Sequence, residues 1–312
     1  MTEYLIGTGG WAYFQIPGIH PLLAYSKAFN FVEVNSTFYQ LPPIKEVETW
    51  RRLVPHNFQF TVRANKAITH KNNLQPTQEA FRIFEKMQQI CTILNAPVLH
   101  LQTPPKFIFT KNAVNNLRDL LSSINLEKLR LALEIRGATP TKLPPGLLKT
   151  MQDRNMIHSV DLSKGETPAY ESDILYSRLF GTGHHNVYQP TDDKLMQVDK
   201  KASNGNFQKV ILSFHFVRMY KDAARLKIYK ETGKFPQITR YTGLDSLEEV
   251  LSEDAQFPTT KQALIKDQGW KLFDLTEDKR IHAAEFLQRL PEKIYHSLSE
   301  VVETLHSAIG GA

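Results

Sequence analysis

Phe31-Val32-Glu33-Val34-Asn35 is a short β-branched run that ends in polar side chains, and its pattern recurs through the first 230 residues. Stretches long enough for a helix separate the runs, which indicates parallel strands joined by right-handed crossovers. The runs are almost continuously apolar, as expected for strands covered on both faces. The eight predicted strands are Tyr4–Gly7, Phe31–Asn35, Phe58–Ala64, Val98–Gln102, Leu129–Arg136, Ile157–Asp161, Ile174–Phe180 and Lys209–His215.

Helical stretches alternate with these strands, and several carry apolar residues at helical spacing. Eight units within 230 residues favour an α/β fold, a (β/α)8 TIM-like barrel, although an open doubly wound sheet also fits the alternation. The segment from Leu162 to Asp173 shows no helical pattern and is predicted to be a loop. The clearest predicted helices are Pro21–Phe29, Thr77–Leu94, Asn112–Ile124 and Tyr220–Tyr229.

The rest of the chain loses this alternation after residue 230. We predict a barrel domain over residues 1–230, a connecting arm over 231–257 and a small α+β domain over 258–312, for which a winged-helix-like fold is one option. The elements predicted in the small domain are a helix at Thr260–Gln268, a hairpin at Lys271–Ile281, and helices at His282–Leu290 and Ser297–Ala308.

Composition excludes several classes of protein. With 41% hydrophobic residues the chain is too apolar for disorder, and its single cysteine, Cys91, excludes a disulfide framework. No apolar run is long enough to span a membrane, and the first residues do not resemble a signal peptide. We therefore expect a cytoplasmic protein with no membrane partner.

The net charge of +6 is unevenly distributed. Residues 1–230 hold 29 Lys and Arg against 18 Asp and Glu, whereas residues 231–312 hold 9 against 14. A basic barrel predicts a phosphate-containing ligand, with DNA or RNA as candidates, although a solvated basic surface is the alternative. The acidic tail argues against its own contact with nucleic acid, so we expect it to contact the barrel or a protein partner.

Polar side chains at the strand ends are the candidate site, because a barrel of this type carries its chemistry at the carboxyl ends of its strands. Charged groups within apolar strands are costly unless they are paired or functional, so an inert salt-bridge network is the alternative reading. The candidate catalytic residues are Glu33, Glu134, Asp161 and His215. The candidate substrate-binding residues are Trp11, Asn35, Tyr39, Arg63, His70, Gln102, Arg136, Arg178 and Tyr188.

Three chemistries fit these residues. Glu134, Asp161 and His215, together with Glu33, are candidate ligands for a divalent metal, although no metal-binding spacing is present and the cofactor is left open. A pair of carboxylates is also what a glycosidase requires. The guanidinium groups at the strand ends match phosphate oxygens, and aromatic rings beside them suit stacking on bases or sugars, or form a packed rim.

Four segments carry a family resemblance: Gly-Gly-Trp-Ala-Tyr at 9–13, Val-Glu-Val-Asn-Ser-Thr-Phe-Tyr at 32–39, Ile-Thr-His at 68–70 and Gln-Thr-Pro-Pro at 102–105. They resemble the YecE-like family, domain of unknown function 72, and the resemblance covers roughly residues 4–230. It implies a TIM-barrel-like fold and supplies no established reaction. Similarity to endonuclease-IV-like barrels is an analogy of fold alone.

The resemblance also places family residues on this chain. The family's polar residues on strand two fall on Glu33, Asn35 and Tyr39, its strand-three Lys on Arg63, its strand-five Glu and Arg on Glu134 and Arg136, its strand-six Asp on Asp161, and its strand-seven Arg on Arg178. Two histidines of the family are replaced, by Gly137 and Phe180, whereas His215 is gained. A mechanism that needs the lost histidines would not operate here.

The leading hypothesis is a hydrolase of the phosphoesterase or nuclease type, which acts on a phosphate-containing substrate at the barrel mouth. The first alternative is a non-catalytic protein that binds nucleic acid or a phosphorylated ligand. The second alternative is a sugar-active hydrolase.

Overall fold

The computed structural model describes residues 2–136 and 143–309. Eight strands form the barrel: β1 (Glu3–Thr8), β2 (Phe31–Val34), β3 (Gln59–Arg63), β4 (Val98–Gln102), β5 (Arg130–Glu134), β6 (Ile157–Ser159), β7 (Ile174–Leu179) and β8 (Lys209–Phe214). All are parallel and follow the order β6-β5-β4-β3-β2-β1-β8-β7. A parallel bridge between Val160 and Ser177 joins β6 to β7. The predicted TIM-like barrel is confirmed.

A helix follows every barrel strand except one: α1 (Pro21–Ala28), α2 (Ile44–Leu53), α3 (Gln78–Leu94), α4 (Lys111–Ser122), α5 (Pro145–Asp153), α6 (Asp192–Ser203) and α7 (Met219–Thr232). Between β6 and β7, where every residue is described, the backbone forms a single 3-10 turn at Leu162–Lys164 and no α-helix. The loop predicted for this segment is therefore confirmed.

Helix α3 illustrates how local sequence sets the element boundaries. The Thr77 hydroxyl accepts a hydrogen bond from the N–H of Ala80 at 3.1 Å and so satisfies one of the free donors at the helix start. At the other end Asn95 adopts a left-handed conformation with φ of 53°, which ends the helix. The apolar stripe between these caps includes Cys91, which is buried.

The barrel interior changes from apolar to polar along most of its strands. Its lower layer is apolar and contains Leu5, Phe31, Val98, Ala132, Ile157, Tyr176 and Ile211. Because side chains alternate across a strand, the residue two positions further on also points inward. On six strands that next inward residue is polar: Glu33, His100, Glu134, Ser159, Arg178 and Ser213. The fold therefore concentrates buried polar groups towards the carboxyl ends of the strands.

The C-terminal segment has its own elements: α8 (Gly243–Ser252), β9 (Thr259–Thr260), α9 (Lys261–Gln268), β10 (Leu272–Thr276), β11 (Lys279–His282), α10 (Ala284–Leu287), β12 (Ile294–Tyr295) and α11 (Leu298–Ile309). Strands β10 and β11 form the predicted hairpin, and β12 pairs with β9. The helix expected over His282–Leu290 is only the short α10. Leu247 and Val250 of α8 pack in one core with Phe273, Leu287 and Val301.

Contacts divide the chain into two compact units, Met1–Phe180 with Asp199–His215, and Gly181–Val198 with Phe216–Ala312. Helix α7 and the segment after β7 thus group with the C-terminal elements. The sequence division at residues 230 and 257 stays a prediction. None of the helices within residues 2–136 and 143–309 combines the length and apolarity that a membrane crossing requires.

Candidate functional site

Arg178 of β7 joins two carboxylates inside the barrel. Its Nε lies 3.0 Å from Glu33 Oε2, and one terminal nitrogen lies 3.0 Å from Glu33 Oε1. The other terminal nitrogen donates to Glu134 Oε2 at 2.7 Å. The Tyr176 hydroxyl also donates to Glu33 Oε2 at 2.7 Å. One guanidinium therefore links strands β2, β5 and β7.

This ion-pair network keeps its members charged. Burial acts to raise the pKa of Glu33, but attraction to Arg178, with smaller contributions from His215 and His100, outweighs it and lowers the pKa to about 2. Burial likewise acts to raise the pKa of Glu134, but attraction to Arg178 outweighs it and holds that pKa well below its ordinary value. Burial alone would lower the pKa of Arg178, and its two carboxylate partners raise it instead. Neither Glu33 nor Glu134 is suited to carry a proton at neutral pH.

A chain of amide side chains extends the network to β3. Gln102 donates to Glu134 Oε1 at 2.5 Å, and its own amide oxygen accepts a hydrogen bond from Arg63. Arg63 also donates to Asn35 Oδ1 at 2.6 Å. Its guanidinium lies 3.6 Å from the ring centre of Phe38. Four of the predicted site residues thus form one continuous line of contacts.

His215 is held beside this network as a neutral ring. Its Nε2 lies 3.0 Å from Ser213 Oγ and 3.5 Å from Glu33 Oε1. Burial and the charge of Arg178 lower the pKa of His215 to about 3. Because the hydroxyl and the carboxylate share one ring nitrogen, the three residues do not form a Ser-His-acid triad, in which the base uses both nitrogens.

The His215 ring also explains a glycine in the first loop. A Cβ on Gly9 would lie 2.1 Å from His215 Cε1, so only glycine fits there without a shift of the ring. On another side the Phe180 ring stacks on His215 with centroids 4.6 Å apart. Phe180 therefore fills space beside the histidine that this chain has gained.

A cavity of about 120 Å³ opens at the carboxyl ends of β5, β6 and β7. Arg136 and Lys164 line it with side chains that are 41% and 42% exposed. The Arg136 Nε lies 3.4 Å from Glu134 Oε1, and the Lys164 Nζ lies 3.8 Å from Asp161 Oδ2. The remaining lining residues are Ile135, His158, Ser159, Val160, Glu166, Arg178 and Phe180.

Two further carboxyl groups of this cavity differ from Glu33 and Glu134, because their pKa values are raised. Burial raises the pKa of Asp161 although several hydrogen bonds oppose it. Burial, with the nearby Asp161 and Glu134, also raises the pKa of Glu166. Glu166 Oε2 accepts the backbone N–H of Asp161 at 2.7 Å. The cavity therefore combines exposed cations with carboxyl groups that retain a proton to higher pH.

Asp161 also holds the loop that carries Glu166. Its Oδ1 accepts the N–H of Ser163 at 2.9 Å, and its Oδ2 accepts the N–H of Phe180 at 3.0 Å. The Ser163 hydroxyl donates to the same Oδ1. These bonds fix the 3-10 turn at Leu162–Lys164 against the end of β7.

The remaining predicted residues lie in three places. Tyr39 and His70 both pack on Phe38, with ring centroids 5.1 and 5.0 Å away, and Trp11 packs edge-on against Trp50. Tyr188 belongs to the second compact unit, where its ring contacts Phe216 and His282. The structure thus does not place Tyr188 in the barrel network. Gly137, where a family histidine is absent, lies outside the described residues.

The predicted metal ligands do not assemble. Within residues 2–136 and 143–309, no three His, Cys, Asp or Glu side chains are grouped so that they could hold a metal ion. Glu134 is engaged by Arg178, Asp161 by backbone amides, and His215 by Ser213 and Glu33. The candidate divalent-metal site at Glu134, Asp161 and His215 therefore does not fit the geometry of these side chains.

Sequence reasoning missed Lys164 and Glu166. A sequence signal for both residues was present, because Lys164-Gly165-Glu166 lies shortly after the end of β6, in a segment without helical periodicity. Gly165 has a φ of 87°, which only glycine adopts without strain, and it turns the chain back towards Asp161.

Comparisons with known proteins agree with this architecture. The model of the family described as protein of unknown function DUF72 matches residues 5–229 of the chain. UPF0759 protein YunF of Bacillus subtilis (strain 168) is 28% identical over 186 residues, which cover 52% of this chain and 63%, less than two thirds, of that protein. Crystal structures of DUF72 family proteins from Enterococcus faecalis V583 and Thermotoga maritima MSB8 match with TM-scores of 0.58 and 0.57.

These two structures share the fold at low sequence identity. They are 16% and 18% identical to this chain, cover 75% and 73% of it, and are themselves covered over 98% and 99% of their length. At that identity the likeness concerns the fold alone. The match over residues 5–229 runs from within β1 to beyond the end of β8. The chain therefore belongs to the DUF72 family.

Proposed function

We propose that this barrel hydrolyses a phosphate-containing substrate bound in the cavity at the ends of β5, β6 and β7. The observation that carries the proposal is the pairing of two exposed cations, Arg136 and Lys164, with two carboxyl groups of raised pKa, Asp161 and Glu166. Cations bind phosphate oxygens, and a carboxyl group that keeps its proton can donate it to a leaving oxygen.

In this proposal only some of the arginines expected to bind phosphate do so. Arg178 is offset by two carboxylates, so its part is to fix Glu33 and Glu134 rather than to bind phosphate. Arg136 and Lys164 are the cations open to a ligand. Glu33 and Glu134 were both expected to be catalytic. In this proposal they hold Arg178, which lines the cavity, in place.

Glu166 is the acid in this proposal. Water attacks phosphorus, the bond from phosphorus to the leaving alcohol oxygen breaks, and Glu166 gives its proton to that oxygen. The attacking water loses its proton to solvent, from which Glu166 is protonated again. The products are the alcohol and the phosphate group that now carries the hydroxyl from water. Asp161 is the weaker candidate because both of its oxygens accept hydrogen bonds.

Hydrolysis of phosphodiesters by Glu166→Gln tests this assignment. We expect kcat to fall about 10²- to 10⁴-fold for an alkyl leaving group, the range usual for general acid catalysis. The loss should be much smaller for a p-nitrophenyl ester, because p-nitrophenolate leaves without a proton. The matched control is Glu171→Gln, an exposed carboxylate of the same loop, which should leave kcat unchanged.

Equal losses on both esters would contradict a proton-donating Glu166. The second candidate function is binding of a phosphorylated ligand without turnover, favoured by the engagement of Glu33 and Glu134 with Arg178. Saturable binding of the ester with no hydrolysis by the wild-type protein would support that alternative.

A further inference from the structure

Arg63 differs from the other buried arginines in its partners. Among the described residues, four arginines are buried. Arg178 pairs with Glu33 and Glu134, Arg225 with Asp192 and Asp222, and Arg280 with Asp192 and Asp274. The terminal nitrogens of Arg63 instead donate to the amide oxygens of Asn35 and Gln102. Because a buried charge normally requires an opposite charge, Arg63 is suited to an anion supplied by a ligand.

Further cations surround this position. Burial lowers the pKa of His70, and the charges of Arg63, Arg136 and Lys66 lower it further, so all three lie close enough to act on one ring. Burial and repulsion by Arg178 lower the pKa of Arg63 to about 10, although attraction to Glu33, Glu134 and Tyr39 opposes the shift. The side of the mouth at β3 therefore carries three cations, Arg63, Lys66 and Arg136, whose charge favours a phosphate group.

Aromatic side chains lie beside Arg63. We call the group formed by Phe38, Tyr39, Arg63 and His70 the Phe38 cluster. Arg63, Tyr39 and His70 each contact the Phe38 ring. Tyr39 is 65% exposed although it is a large aromatic side chain held against this ring. A fixed, exposed ring beside a phosphate-binding cation is the arrangement on which bases of single-stranded nucleic acid stack.

We propose that the Phe38 cluster binds one nucleotide unit of a single-stranded nucleic acid, with its phosphate at Arg63 and Lys66 and its base stacked on Tyr39. This inference deepens the proposed function and rests on it, because it names the class of the phosphate-containing substrate. Arg136 belongs both to the cations around His70 and to the wall of the hydrolytic cavity. The strand would therefore continue from the Phe38 cluster into that cavity.

Binding of two fluorescent probes to the full-length protein tests the inference. One probe is a short oligothymidylate and the other is an abasic deoxyribose-phosphate oligomer of equal length. We expect the wild-type protein to prefer the oligothymidylate, and Tyr39→Ala to weaken its binding roughly 5- to 100-fold while the abasic probe binds as before. Tyr39→Phe keeps the ring and should keep the preference.

Two more variants separate phosphate binding from stacking. Lys66→Ala should weaken both probes equally, because phosphate contacts do not depend on the base. Tyr241→Ala removes an exposed tyrosine of the other compact unit and should change neither probe. Equal affinity of the wild-type protein for the two probes would overturn the inference, as would failure of both probes to bind at low salt.

These readouts require no turnover, so they are independent of the hydrolysis assay. Ester hydrolysis that depends on Glu166 while Tyr39→Ala binds both probes normally would reject the nucleotide site alone. Base-dependent binding without hydrolysis of any ester would reject the proposed reaction and leave the nucleotide site standing.

Discussion

Arg178 shows how a single side chain can decide the state of a buried site. With its guanidinium in place, Glu33 and Glu134 are both charged and share one partner. Without it, among the described residues, Glu33 would have only the neutral His215 ring within ion-pair distance, and the only cation beside Glu134 would be the partly exposed Arg136. A buried charge that loses its partner is among the most destabilising changes that a protein undergoes.

We predict that Arg178→Met lowers the free energy of unfolding by about 3–5 kcal/mol, because it leaves the buried Glu33 without a guanidinium partner and leaves Glu134 only the partly exposed Arg136. Urea denaturation followed by circular dichroism measures the change. The control is Arg130→Met, which breaks the partly exposed pair with Asp173 and should cost about 0–1 kcal/mol. Losses of similar size in the two variants would contradict the role given to Arg178.

Sequence reasoning could identify these residues but not their pairing. Glu33, Glu134 and Arg178 each end an apolar strand, so a barrel fold predicted that they meet at the mouth. Which of them bond depends on distances across the interior between β2, β5 and β7, and strand periodicity contains no such distances. The candidate substrate-binding arginines therefore included Arg178, whose guanidinium is paired with two carboxylates in the structure.

At the scale of elements, the segment from β6 to β7 differs from every other connection that begins at a described barrel strand. It has no α-helix, and Asp161 holds its 3-10 turn by accepting backbone N–H groups from Ser163 within the turn and from Phe180 after β7. The same turn positions Lys164 and Glu166 at the cavity. The missing helix thus leaves room for a loop that supplies the proposed acid.

We predict that Asp161→Ala loosens this loop. Two backbone donors, of Ser163 and Phe180, would lose their acceptor, at a cost of about 1–3 kcal/mol. Hydrogen exchange should accelerate at those two amides, and hydrolysis should fall because Glu166 is no longer held. Asp153→Ala, an exposed change at the end of α5, should leave both unaffected. Unchanged exchange at Ser163 and Phe180 would show that Asp161 does not hold the loop.

The sequence pattern predicted the loop between β6 and β7, but it did not predict that Glu166 of this loop lies at the cavity. The absence of helical spacing from Leu162 to Asp173 predicted a loop. The return of Glu166 towards Asp161 depends on the left-handed turn at Gly165, and a glycine in sequence does not reveal which way the chain will turn.

At the scale of the whole molecule, the barrel and the C-terminal elements are separate compact units with separate cores. The sequence placed a boundary at residue 230, where strand and helix stop alternating. Contacts place α7 with the second unit, because packing groups elements by proximity whereas periodicity reports only their type. The family match ends at residue 229, close to the predicted boundary.

The central claim, that Glu166 donates a proton at a phosphate-binding cavity, is tested most directly by the pH dependence of kcat/KM for an alkyl phosphodiester. Because the pKa of Glu166 is raised above the ordinary value of 4.5, the acid form persists to higher pH, and the rate should fall as pH rises through that raised pKa. Glu166→Gln should abolish this fall. A wild-type rate that does not decline above pH 4.5, or a decline that survives in Glu166→Gln, would contradict the account.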